Sequence, residues 1–505
     1  MKPSENLYDL IKSLTTDDTN FIKSSSQFHI KGKENKYAIL FGEIEKQDVY
    51  DETDLIAKLN YTEDLNKFAF LKNYLYNFIL DNLEGKNTFV RKKIRSKINQ
   101  AELLIQKGLF DMAAELIDSA EEDSSKTQLF DLWIASLSIK KIIALHYRKP
   151  VAAIDKEVQK ILKAKKSFLH YRRLFCLVRV KHHQSAFIRD IEQMKEFKEV
   201  HEEELLESDP AYNFHHKLFF YLSKGIVYYA KKDFAKSLIL VNELLKMWDK
   251  YPWMIEVRFS AYFNTFFNKA QIESNFKQFS KAINSIRELN NKLNELNKEN
   301  PFERYMVYNL WIRVYNMCGY FDEALKIIDE YKSTRDSLQR GNINPYSEQL
   351  YHFYVANVYF GVSDFKSANK HINEIINNSI EYNNDVTCIA QLMSLVIHYE
   401  LGNSDLLAYR IKSVFRFLNK RDCLELTINH VLDFLRRSAK VKNSTKTDKD
   451  RFIELRAQIE QDLKIDPIQK DVIEYFDILS WLDSRIENIP FIEIAKAKSG
   501  HALKA

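Results

Sequence analysis

Asn316–Tyr331 reads NMCGYFDEALKIIDEY, and this stretch decides the architecture. Gly319 stands in a chain with only 10 glycines among 505 residues. An aromatic, Phe321, follows two positions later, and Ala324 three after that. The preceding PFERYMVYNLWIRVY, Pro301–Tyr315, is apolar at helical spacing. Asn300 suits an N-cap, Pro301 the first helical position, and Glu303 the residue that reaches back to the cap. Gly319 tolerates the left-handed backbone that ends a helix. Phe321 then opens a second helix, and Ala324 is small enough to let the two approach. The stretch predicts a helical hairpin.

The signature recurs. Aligning on the aromatic gives Phe110, Phe234, Phe279, Phe321 and Phe365, the last four 45, 42 and 44 residues apart. Three positions on stand Ala113, Ser237, Ala282, Ala324 and Ala368, and four further Ile117, Val241, Ile286, Ile328 and Ile372. The first helices offer Ala101, Gly225, Ala270, Ile312 and Ala356 as facing residues. Pro210, Pro252, Pro301 and Pro345 keep step as hairpin starts, with Asp209 and Asn344 as caps. A fixed period of this length predicts stacked helical hairpins. A further hairpin is expected in QLMSLVIHYELGNSDLLAYRIKSVFRFL, with its turn at Gly402-Asn403.

The series Tyr315, Gly319, Phe321, Ala324 resembles the tetratricopeptide repeat family. Ala356, Tyr359, Phe365, Ala368 and Gly225, Tyr228, Phe234, Ser237 repeat it. The resemblance covers about 210–376, with an isolated earlier copy at Ala101–Ala120. The period exceeds the family's ~34 residues, so longer helices or turns are implied. The fold implied is all-α: a right-handed superhelical solenoid of antiparallel hairpins whose first helices line a concave groove. Such a fold implies a non-catalytic scaffold that holds a protein or peptide partner.

Composition agrees with a helical reading. Gly and Pro together make 18 of 505 residues, against roughly 12% in average usage. No apolar run approaches the ~20 residues of a membrane span, and the N-terminus has no apolar signal core. Cys176, Cys318, Cys388 and Cys423 are far apart, three in apolar helical contexts, which fits a reduced, cytoplasmic setting. The net charge of +5 is too mild to imply nucleic acid by itself. The expected organisation is an N-terminal helical domain over 1–88, the solenoid over 89–440, capping helices over 441–490 and a tail over 491–505. Within it, 440–450 reads as an exposed linker, Asp466-Pro467 with Gln469 as the start of a single last helix, and the residues from Ala495 as frayed.

Projection of the hairpins places Asn264, Asn268, Gln271, Asn275, Asn309, Arg313, Asn316, Phe353, Tyr354 and Asn357 along the groove. Amides there can pair with a peptide backbone, Arg313 can clamp a carboxylate, and Phe353 and Tyr354 can anchor apolar groups. Asn is also abundant on solvated faces of this chain. Lys140–Lys181 carries 13 Lys/Arg against two acids, and 190–209 carries nine acids against two lysines. The two blocks suggest an internal match, with phosphate or acidic-peptide binding as the alternative. His182-His183 and His215-His216 are adjacent pairs, which do not share a helix face, so no metal site is expected. No phosphate loop, dinucleotide fingerprint or nucleophile elbow occurs, and neither a cofactor nor catalysis is indicated.

Two other functions remain open on sequence. DETDLIAKLNYTEDLNKFAFLKNYLYNFIL, Asp51–Leu80, is compatible with a helix–turn–helix, which would make the chain a nucleic-acid-linked regulator with a repeat sensor. Yet residues 1–85 hold ten lysines and 15 acids, an unsuitable charge for a phosphate-facing domain. The other is an assembly subunit that binds through its convex face or its ends.

Overall fold

The computed structural model describes residues 5–14, 16–25, 35–86, 90–184, 213–296, 301–337, 345–377, 384–421, 426–440, 448–465 and 475–500. Among these the chain forms 24 helices and no strand. It divides into two compact units, one of residues 1–158 with 337–343, the other of 159–336 with 344–505. The expected domain limits at 88/89 and 440/441 follow composition, whereas the division by packing falls inside the long helix Ala152–Gln184.

In the first unit, helices Asn6–Lys12, Thr16–Ser24, Lys36–Lys46, Glu52–Lys58 and Leu65–Lys86 close a core around Leu40, Phe41, Ile44, Leu75 and Ile79. Asn35 and Asp51 cap two of these helices, each side chain accepting from backbone N–H groups of the first turn. Helices Val90–Gln106, Phe110–Thr127 and Phe130–His146 then pack on one another.

One hairpin with the signature, Val90–Gln106 with Phe110–Thr127, lies in the first unit, and the second carries the others. Phe214–Ala230 pairs with Phe234–Lys250, Phe259–Asn275 with Phe279–Glu295, and Pro345–Gly361 with Phe365–Asn377. Pro301–Cys318 meets Phe321–Ser337 through Tyr308 and Tyr331, ring centroids 4.9 Å apart. Asn384–Glu400 and Ser404–Asn419 form the further hairpin, with Gly402 in its turn. First helices also touch the first helix of the next hairpin: Phe259–Asn275 meets Pro301–Cys318, which meets Pro345–Gly361. Ala113, Ala282, Ala324, Ala368, Ala101, Ala270 and Ala356 have no exposed surface. Where serine replaces alanine, Ser237 Oγ donates to the Gly225 carbonyl at 3.0 Å, so the hydroxyl joins the two helices.

The turns share one geometry. The residue two before each second helix adopts a positive φ: Gly108, Lys232, Lys277, Gly319, Ser363 and Gly402. The next residue's N–H then reaches back five positions, as in Tyr320 N to Tyr315 O at 3.0 Å and Gln278 N to Glu273 O at 2.8 Å. This satisfies a carbonyl that the helix end leaves without a partner. Only three of the six positions are glycine. The aromatic two residues on is therefore the steadier marker of the turn.

The C-terminal part departs from the expected cap and tail. Helix Asp448–Ile465 packs on Leu426–Lys440, so the expected exposed linker over 440–450 gives way to helix from Asp448. The single last helix expected from Asp466 is interrupted. Phe476 and Asp477 are non-helical, and Asp477 caps Ile478–Glu487 by accepting from Ser480 N at 2.9 Å. Its proposed start, Asp466-Pro467-Gln469, lies outside the described residues, as do the caps Asp209, Asn300 and Asn344, the start Pro210, and Cys423. Ile478–Glu487 anchors on Glu400, whose carboxylate accepts from Trp481 Nε1 at 2.6 Å and from Arg485 Nε at 2.9 Å. Phe491–Lys498 is a helix, which corrects the expected fraying of Ala495–Lys498. It docks on the Gly319 turn: Phe491 meets Phe321 at 5.8 Å, and Lys496 faces Asp322 at 3.4 Å. A Cβ on Gly319 would stand 2.7 Å from the Ala495 carbonyl carbon, so glycine serves close approach there as well as the turn. Phe321 in turn lies against Gly361 of the next hairpin, where a Cβ would come within 2.5 Å of its ring.

Candidate functional site

The first helices of four successive hairpins bring polar side chains into one row. Arg313 Nη2 donates to Asn275 Oδ1 at 2.7 Å, and Nη1 to Ser274 Oγ at 3.3 Å. Asn275 Nδ2 donates to the Tyr229 hydroxyl of the preceding hairpin. Asn316 Nδ2 donates to the Tyr354 carbonyl of the following one at 2.8 Å. Tyr354 and Tyr475 each interact electrostatically with Arg313, Tyr346 and Tyr229. Burial pushes the Tyr354 phenol up to about 12, against the opposing pull of the Arg313 charge. Tyr475 is raised for the same reasons. Both phenols stay protonated at neutral pH, and a protonated phenol can donate a hydrogen bond. Each nevertheless keeps half-buried, solvent-reaching surface. A guanidinium flanked by such phenols suits a carboxylate or another planar anion.

The ten projected residues divide. Asn264, Asn268, Gln271, Asn275, Arg313, Asn316, Tyr354 and Asn357 are half-buried. Phe353 is 1% exposed, packed in the core with its ring 6.1 Å from that of Tyr475, so its expected part as an apolar anchor is corrected. One step along a helix turns a side chain by about 100°, and that step separates core Phe353 from groove Tyr354. Asn309 is likewise buried and donates to the Ser347 carbonyl at 3.4 Å, a joint between hairpins rather than an open contact. Asn357 donates to its own helix at the Phe353 carbonyl. Sequence projection missed Tyr229, Tyr346 and Tyr475. Tyr229 lies one position past the aligned Tyr228, and Tyr475 reaches the row from the C-terminal segment, which carries no repeat signature.

The other sequence candidates resolve as follows. His215 and His216 are buried beside Phe168 and Tyr171. His216 Nε2 lies 3.0 Å from the Ala164 carbonyl, and burial holds its imidazole below its ordinary value. The side chains of His182 and His183, and the acidic block 190–209, lie outside the described residues. Cys318 and Cys388 are buried and Cys176 is exposed. Burial pushes the Cys318 thiol up to about 12. Among the described residues no group of three or more His, Cys, Asp or Glu is placed to hold a metal ion, and no helix is long and apolar enough to cross a membrane. In the N-terminal region, Leu65 and Phe70 of the helix Leu65–Lys86 are 60% and 68% exposed.

Compared with known proteins, the chain matches no family model and no curated protein.

Proposed function

We propose that the chain is a non-catalytic scaffold of tetratricopeptide-like hairpins, stacked as a right-handed superhelix, that binds a protein or peptide partner in the cytoplasm. The supporting observation is the row Tyr229–Asn275–Arg313, joined by side-chain hydrogen bonds between successive first helices and continued by Asn316, which donates to the Tyr354 carbonyl of the next. The packed helices order this surface before a partner arrives, so little receptor entropy is lost on binding. Arg313 and the phenols would take a carboxylate of the partner. Asn264, Asn268, Gln271 and Asn357 would meet its backbone.

The test compares partner capture from native lysate by the intact chain and by a chain carrying Arg313→Gln and Asn357→Ala. Unchanged circular dichroism with loss of the captured partner is the expected result. Undiminished capture would move binding to the outer face or the ends, the assembly-subunit reading.

A further inference from the structure

The helix Ala152–Gln184 buries one face and, among the described residues, exposes another. Ile161, Phe168, Tyr171, Leu174 and Val178 turn inward, the last three packing with Phe220 and Val227 of Phe214–Ala230. On the opposite side, Leu162, Lys166, Leu169, Arg173, Cys176 and Val180 are all exposed. Their spacing alternates four and three, the heptad seam along which helices pair. The seam spans about 27 Å at the helical rise of 1.5 Å per residue. Along it Leu162, Leu169 and Val180 are 43%, 48% and 53% exposed.

We infer that this seam docks an acidic amphipathic α-helix of a partner protein. The charge pattern selects the occupant. Lys166 and Arg173 interrupt the apolar positions, and the flanks are basic as well, with Lys163, Lys165 and Arg172. Among the described residues Lys163, Lys166, Arg172 and Arg173 make no ion pair. A second copy of the same face would repel. A membrane-lying helix keeps its cations at the edges of its apolar stripe, not in the middle. A phosphate-binding face has no use for a line of leucines. A facing helix with Leu against Leu162 and Leu169, and Glu against Lys166 and Arg173, satisfies both features.

The probe is a labelled three-heptad peptide with Leu at one seam position and Glu at the other seam and flanking positions, titrated into the full chain by fluorescence anisotropy. Saturable binding is expected, weakening with salt. It should fall at least about tenfold in Lys166→Glu/Arg173→Glu and separately in Leu162→Ser/Leu169→Ser, with helicity unchanged; tenfold is about 1.4 kcal/mol. No saturation, equal binding of a scrambled peptide, or indifference to both double substitutions would overturn the inference. So would binding that appears only after Glu202, Glu203 and Glu204 are changed to Gln, since the chain's own acidic block would then be the occupant. Retention of anionic vesicles or DNA in place of the peptide would also overturn it.

Discussion

At the scale of the residue, Gly319 does two separable things. Its φ of +73° lets the first helix end, and its missing Cβ admits Ala495. Gly319→Ala is expected to cost about 3 kcal/mol, combining left-handed strain with overlap against backbone. Chemical denaturation measures it, and a cost below about 1 kcal/mol would contradict the close approach. Lys277 tests the strain alone, since it holds the same conformation on an exposed turn with φ +59°. Lys277→Gly should gain about 0.5–1 kcal/mol, the relieved strain less glycine's greater unfolded entropy. Of these two roles only the turn was legible in the sequence. Local steric rules announce a helix end, whereas the docking of Ala495 depends on packing between residues far apart in the chain.

At the scale of the element, the aligned alanines of the hairpins are fully buried. Ala282→Leu should destabilise by about 1–3 kcal/mol by forcing the helices apart, a shift visible in thermal melts. The hairpins were legible because their chemistry is local and periodic. The C-terminal helices were not, because their anchors are tertiary. Glu400 holds Trp481 and Arg485, and its side chain is almost wholly buried. Arg485→Ala leaves a buried carboxylate with one neutral donor, at an expected cost of about 3 kcal/mol. Faster hydrogen exchange should then be confined to Ile478–Lys498, and an unchanged rate there would contradict the anchoring. The groove was half legible for a related reason: periodicity assigns a face to within one residue, and one residue separates Phe353 in the core from Tyr354 beside Arg313.

At the scale of the whole molecule, buried histidines link stability to pH. His216 and His398 are both held below their ordinary value, burial being the larger cause in each and the Arg410 charge adding to it at His398. Below about pH 6.5 the unfolded chain takes up protons at these imidazoles while the folded chain does not. Stability from this source is therefore whole above that pH and lost as pH falls through the folded values. Glu273 and Glu303 are raised by burial and act in the opposite sense, their stabilising share being lost as pH rises through their folded values, in a window beginning near the ordinary carboxylate range. Melting temperature should fall between pH 7 and pH 6, and a flat or rising profile there would contradict neutral burial of the two imidazoles. The recognition face proposed for the partner is formed by consecutive first helices. Photo-crosslinking in native lysate tests it most directly, with a benzophenone side chain placed at Asn268 or Asn357 on that face, or at exposed Lys281 on a second helix. Adducts with a partner protein from Asn268 and Asn357 but not from Lys281 are the expected result, and adducts from Lys281 alone would contradict the claim.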